Sequence, residues 1–472
     1  MLFNTIDFVI FFLIVVSTVV IVKHRKFQHL FILIASYFFF YYTSNYLITL
    51  LIFTTIWDFY FGNFIYKSKN IRSKKLILVV SLAGNLGLLG FFKYTDFAIM
   101  QFNFLAQHFD LGTQIPLLYL VLPIGISFYT FHSITYTVSI YRGIMEPAKS
   151  FTEYAIFVAF FPQLVAGPII RAVNFLPQLD QKPRMDLTRV RSGLHLIVRG
   201  LIEKVVIADN LASVVEKVFA DPGNFNGGDM WIATYCFAFQ IFCDFAGYTD
   251  IARGCARIMG FDFLENFRRP YAAEGISDFW RRWHISLSTW LRDYLYIPLG
   301  GSRHGEISTY RNLMLTMVLG GLWHGANWTF VLWGSYHGVL LCLNHAYRYW
   351  LRKRDSQGVL GSSFVARGVR IFVTFHLVCI GWVLFRAPNL SASASMLNAM
   401  LSPPIAFGSA LIPYAILCAA LLVAMLAHEF LNPGKYFENL PLPARGLVLF
   451  VCYLLLVVFA PVRRVAFIYF QF

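Results

Sequence analysis

Long apolar runs, separated by short basic or turn-forming stretches, dominate the chain. They cover residues 6–22, 30–42, 46–66, 76–92, 116–140, 154–170, 193–220, 231–259, 311–322, 329–343, 371–385, 405–430 and 446–460. A bilayer core of about 30 Å takes about 20 apolar residues per helical crossing, so the pattern predicts an all-α, polytopic membrane protein with about 11 to 13 membrane elements. Lys23, His24, Arg25 and Lys26 follow the first run, and a second basic stretch covers residues 67–75. Lys and Arg collect in cytoplasmic loops, which places both stretches inside and the first residues outside. No internal repeat or long polar linker divides the sequence, so residues 1–472 read as a single membrane domain.

One stretch departs from this pattern. In residues 277–301, Trp280, Trp283 and Trp290 fall at spacings of three and four with Leu287, Leu291, Tyr294 and Leu295. Arg281, Arg282 and Arg292 are too many charges for a lipid-facing span. The spacing predicts an amphipathic helix lying in the interface, with Trp at headgroup level and Arg towards phosphates or water. Short irregular elements at membrane depth are tolerated where they line a cavity, which points to a funnel within the domain.

Composition supports the membrane reading. The chain is 58% hydrophobic and 13% charged, against about 45–50% and about 25% in soluble proteins. That excludes a soluble enzyme, a disordered chain and a fibrous one. The net charge of +15 would suggest nucleic acid in a soluble domain; here it is the basic excess of loops facing anionic membrane lipids. Seven cysteines without a Cys-x-x-Cys pair lie in apolar stretches and read as small buried hydrophobes. Residues 6–22 are long for a signal peptide and follow no basic stretch, so they read as the first transmembrane helix.

Ionisable residues inside membrane segments are the candidates for chemistry. His324 lies in GGLWHGANW, residues 320–328, among small residues that permit close approach of backbone or ligand. Its imidazole suits general-base work near neutral pH, or it is a structural histidine bonded between helices. Asn327 is placed to orient it or to polarise a carbonyl. His337 reads as a structural partner or a secondary catalytic group. His284 would bind an anionic substrate group or a lipid phosphate. His132 and His376 read as packing histidines. Asp244 and Asp250 would form a proton path, or pair with Arg253 and Arg257 one helical turn away. No His-Glu-x-x-His, cysteine pair, Walker loop or dinucleotide fingerprint is present, so neither a metal nor a bound cofactor is expected.

The segments FFPQLVAGPIIR (160–171), FCDFAGYTDIARG (242–254), MGFDFLENFRRPY (259–271), SDFWRRWHISLSTWLRDYLYIPLGG (277–301) and GGLWHGANWTFVLWGSYHG (320–338) together resemble the membrane-bound O-acyltransferase (MBOAT) family. Within it they are similar to the bacterial branch that serves alginate and peptidoglycan O-acetylation and D-alanyl transfer. The resemblance implies a helical ring around a central funnel with His324 as the catalytic histidine at its floor. It implies a cytoplasmic acyl donor, acetyl-CoA, framed by Trp323, Asn327, His284, Arg281 and Arg282, in the bacterial inner membrane. The acceptor would be an extracytoplasmic polysaccharide: alginate, cellulose, another exopolysaccharide or peptidoglycan. Implied partners are a periplasmic serine-nucleophile (SGNH-type) acetyltransferase and the polysaccharide synthesis and export machinery. Residues 466–472 match an aromatic tail motif of this machinery, in which Tyr469 is an acyl relay or the tail is an interfacial anchor. The rival readings are a teichoic acid D-alanyltransferase and a proton-coupled secondary transporter, the latter expected to show inverted repeats.

Overall fold

The computed structural model describes residues 1–165, 167–181, 186–353, 363–402, 407–431, 441–460 and 467–468. Among them every regular element is helical. In chain order come α1 (Ile6–Ile21), α2 (Arg25–Ser44), α3 (Ile48–Lys67), α4 (Ile71–His108), α5 (Ile126–Tyr141), α6 (Phe151–Ala159), α7 (Phe161–Leu164), α8 (Ala172–Leu179) and α9 (Leu187–Leu201). A π-helical turn, Ile202–Ala208, leads to α10 (Asp209–Ala220) and α11 (Gly227–Ile258). Then follow α12 (Ile276–Arg282), α13 (Ile285–Leu291), α14 (Glu306–His324), α15 (Trp328–Lys353), α16 (Phe364–Arg386), α17 (Leu390–Leu401), α18 (Ile412–Leu431) and α19 (Leu442–Val458).

Five helical stretches among the described residues are long and apolar enough to cross a membrane: Arg25–Lys67, Ile71–His108, Gly227–Ile258, Phe364–Arg386 and Ser409–Leu431. Ile6–Ile21, Leu390–Leu401 and Pro443–Val458 are shorter apolar helices. Several predicted apolar runs are cut up instead. Residues 116–140 become helical only at Ile126, after Gly125 (φ 76°), and residues 154–170 break at Phe160 between α6 and α7. Apolarity marks burial in protein as readily as burial in lipid. The best 18-residue window of α11 is 83% buried and that of Ser409–Leu431, which holds α18, only 11%, so apolar stretches differ widely in burial.

The chain forms two compact units. The first is Met1–Arg199 with Tyr248–Leu264. Its apolar helices are tied by satisfied polar groups, as buried polar groups require: Asp58 on α3 accepts from Ser81 (2.8 Å) and Asn85 (2.9 Å) on α4. His132, fully buried, accepts from the Ile170 N–H, in keeping with a packing role. Asp250 pairs with Arg253 (2.7 Å), as its spacing suggests, and also with Arg199. Arg257 is not its partner: it bonds Ser192 (2.6 Å) and Asp262 (3.1 Å).

The second unit is Gly200–Gly247 with Glu265–Phe472. Its centre is the α14–α15 hairpin, where backbones touch through glycines. A Cβ on Gly334 would lie 2.3 Å from the Met317 carbonyl oxygen, and one on Gly321 would lie 2.2 Å from that of Phe330. The expected continuous interfacial helix over 277–301 is instead two short helices, α12 and α13, broken at His284 (φ 41°), followed by a π-helical turn at Arg292–Tyr296. Its tryptophans pack within the protein: Trp283 and Trp290 are buried, Trp283 against Phe267, Phe279 and Trp382, and half-buried Trp280 lies against Trp333 and His337. The apolar positions of this segment face protein, which is what its spacing of three and four equally allows.

Candidate active site

His324 is the last residue of α14, and Gly325 ends the helix in extended conformation. Gly325 is required sterically, because a Cβ there would come within 2.2 Å of the Phe330 ring. The tight α14–α15 turn carries His324 inward, leaving it 6% exposed. Three rings meet its imidazole edge-on: Trp323 at 5.0 Å, Trp333 at 5.1 Å and Phe385 at 5.2 Å between centroids. Trp333 comes one turn into α15, and Phe385 comes from α16. The chamber is therefore assembled from both sides of one hairpin and a third helix.

His337 lies on the other side of the same wall. It is fully buried, with Trp333 at 5.0 Å, Trp280 at 5.2 Å and Tyr336 at 5.5 Å. Gly381 on α16 makes its slot, since a Cβ there would approach Nε2 to 2.8 Å. His324 and His337 are thus brought onto one shared indole.

The remaining expected site residues fall in different places. Trp323 is buried and forms a wall of the chamber. Asn327 uses its amide locally: Oδ1 accepts from Thr329 N–H (3.0 Å), capping α15, and Nδ2 donates to the Pro388 carbonyl (3.2 Å). His284 is fully buried, so it cannot meet a lipid phosphate at the surface. It sits edge-on to Phe245 at 4.7 Å and lies 6.3 Å from Trp323. Asn266 fixes this break in the helix, because its Oδ1 accepts from His284 Nδ1 (3.2 Å) and from Ser286 N–H (3.1 Å). Arg281 is exposed. Arg282 is ion-paired with Asp278 (3.0 Å) and Glu429 (3.1 Å). His376 is satisfied by Tyr235 and the Phe372 carbonyl. Tyr469 lies outside the described residues, although Phe467 and Ile468 before it are described and buried.

The sequence reading missed Phe385 as a wall of the chamber and Lys204 as a charged partner. Asp244 pairs with Lys204 (2.6 Å), not with Arg253 or Arg257. Nothing in local spacing signals either residue, since each comes from a helix remote along the chain. Among the described residues, no group of three or more metal-ligating side chains forms a cluster.

A family model described as the membrane-bound O-acyltransferase family matches residues 148–384, the stretch that carries the chamber's histidines and tryptophans. The chain is 42% identical to the probable alginate O-acetylase AlgI of Pseudomonas putida, over 75% of this chain and 71% of that protein. It is 36% identical to the peptidoglycan O-acetyltransferase of Helicobacter pylori, over 75% of this chain and 70% of that protein. With the teichoic acid D-alanyltransferase of Bacillus subtilis the identity is 30%, over 56% of this chain and 68% of that protein. Fold and comparisons define a multi-pass membrane enzyme that transfers acyl groups to oxygen. The chain belongs to the membrane-bound O-acyltransferase family.

Proposed function

We propose that the protein moves acetyl groups from a cytoplasmic donor, acetyl-CoA, across the bacterial inner membrane for O-acetylation of an extracytoplasmic polysaccharide. The observation that carries this reading is His324: an imidazole at a helix end, 6% exposed and enclosed by Trp323, Trp333 and Phe385. Its imidazole takes the proton of the accepting hydroxyl while that oxygen attacks the thioester carbonyl. The C–S bond then breaks and the thiol leaves with a proton. Aromatic walls keep bulk water from hydrolysing the thioester. Trp323 forms part of that wall.

The donor side has structural support in a cavity of about 560 Å³ lined by Ser277, Tyr296, Asn344, His345 and Arg348. That volume suits a cofactor-sized molecule, and Arg348 in its lining suits a phosphate, while Glu306 there is paired with His345. The acceptor class rests on likeness to proteins named for alginate and peptidoglycan acetylation. A periplasmic serine-nucleophile acetyltransferase, together with polysaccharide synthesis and export proteins, would complete the transfer. Asp244 and Asp250 are each held in ion pairs, which favours a structural use over a transporter's proton path. The test is turnover of acetyl-CoA labelled in its acetyl carbon by inverted membrane vesicles. Label reaching a lumenal acceptor supports the reading; no transfer from labelled acetyl-CoA, with transfer from a carrier protein bearing labelled D-alanine, would replace acetyl by D-alanyl.

A further inference from the structure

Lys204, Asp209 and Asp244 bury their charges together. Lys204 Nζ lies 2.7 Å from Asp209 Oδ1 and 2.6 Å from Asp244 Oδ1, and all three side chains are at most 7% exposed. The π-helical turn at Ile202–Ala208 supplies the five-residue spacing that aims Lys204 at Asp209. Gly247 admits the approach, since a Cβ there would lie 2.6 Å from the Gly200 carbonyl oxygen. Burying ions is expensive, and apolar residues of similar volume often hold helices together equally well. Such a cluster calls for a task beyond packing.

The second oxygen of Asp244 points to one. Asp244 Oδ2 accepts the backbone N–H of Ile468 at 2.6 Å, a charge-assisted bond. Asn210, next to Asp209, donates to the Phe459 carbonyl (3.0 Å) just beyond α19. The cluster and its neighbour therefore grip the last stretch of the chain at two points. Beside Asp244, the Phe245 ring meets Phe467 at 5.7 Å and His284 at 4.7 Å. His284 lies 6.3 Å from Trp323, which is 5.0 Å from His324. Phe467 and Ile468 are each 1% exposed.

We infer that Lys204, Asp209 and Asp244 form a dock for residues 467–468, in which Lys204 and Asp244 are positioning residues for acyl transfer. The dock holds residues 467–468 against Phe245, and through Phe245 it braces His284 and Trp323. Its effect on turnover rests on the acyl-transfer reading; the docking itself does not.

The test uses the full-length protein in lipid nanodiscs, with acetyl-CoA as donor. In Asp244→Asn the Ile468 amide exchanges hydrogen about ten-fold faster or more, as expected for a weakened bond to a charged group. kcat falls by a similar factor with KM for acetyl-CoA unchanged. Ile468→Pro deletes the donor N–H and leaves the ion cluster whole, so it reproduces the loss of kcat and stands alone if Asp244→Asn does not insert. Unchanged Ile468 exchange in Asp244→Asn, or parental kcat in Ile468→Pro, overturns the inference. Absence of turnover in the unaltered enzyme would count against the acetyl reading, and the exchange measurement would still decide the dock.

Discussion

His324 and Glu429 belong to the same unit and have opposite surroundings. Around His324 the neighbours are rings: Trp323, Trp333 and Phe385. Around Glu429 they are guanidinium groups: Arg269 at 2.9 Å, Arg282 at 3.1 Å and Arg367 at 3.7 Å, with Glu274 joining Arg367 and Arg370 to the same net. The arginine-rich segment that looks from its charges like a substrate clamp commits Arg282 to tying α12 to α18. The surroundings of His324 instead rest on aromatic packing. Charge ties the helices around Glu429, and aromatic packing encloses His324.

Substitutions can separate these two uses. Trp333→Ala removes the indole shared by His324 and His337 and costs about 3–5 kcal/mol, with transfer lost; a change in detergent unfolding below about 1 kcal/mol would show that the wall is not closely packed. Glu429→Ala removes the carboxylate shared by Arg269, Arg282 and Arg367, leaves Arg282 with Asp278 alone, and costs up to about 3 kcal/mol, read as a lower unfolding midpoint with KM for the donor unchanged in the protein that survives. A raised KM with an unchanged midpoint would mean the net serves the donor after all. Arg281→Ala is the converse. An exposed side chain changes stability by no more than about 0.5 kcal/mol, so any effect appears in donor KM alone, and a lower midpoint would contradict its placement.

Another small effect is expected in the first unit. Lys149 and Arg25, each 2.7 Å from Asp180, hold its carboxyl below the usual carboxylate range. The folded value is depressed, so the stabilisation is present above the unfolded value and is lost as pH falls through the folded one. With Asp180 38% exposed, the pair is worth less than about 1 kcal/mol. Asp180→Asn should therefore flatten the acid side of the stability profile only slightly, and a large shift would place Asp180 in a tighter network.

Much of this was legible in the sequence where the signal is local. The apolar runs give the helical membrane class, the GGLWHG turn gives His324, and Asp250 with Arg253 follows from i,i+3 spacing. The break at His284 was not legible, because a non-glycine residue adopts positive φ there only under the hold of Asn266, which precedes it in a separate loop. Asp244 looked like a partner for nearby arginines and pairs instead with Lys204, brought close by a π-helical turn that no propensity announces. The three tryptophans of 277–301 have the spacing of an amphipathic helix, and that spacing does not say whether its apolar face meets lipid or protein. Tertiary packing decided each of these cases.

The central claim is that His324 is the base, and that His337, which shares the Trp333 indole with it, is structural. It is tested most directly by acetyl content of the polymer, measured by NMR, in deletion strains carrying His324→Gln or His337→Gln at matched membrane levels. The account predicts that His324→Gln lowers acetylation by about 100-fold or more, the scale of a lost general base, while His337→Gln retains most of it. Parental acetylation in His324→Gln would contradict the account.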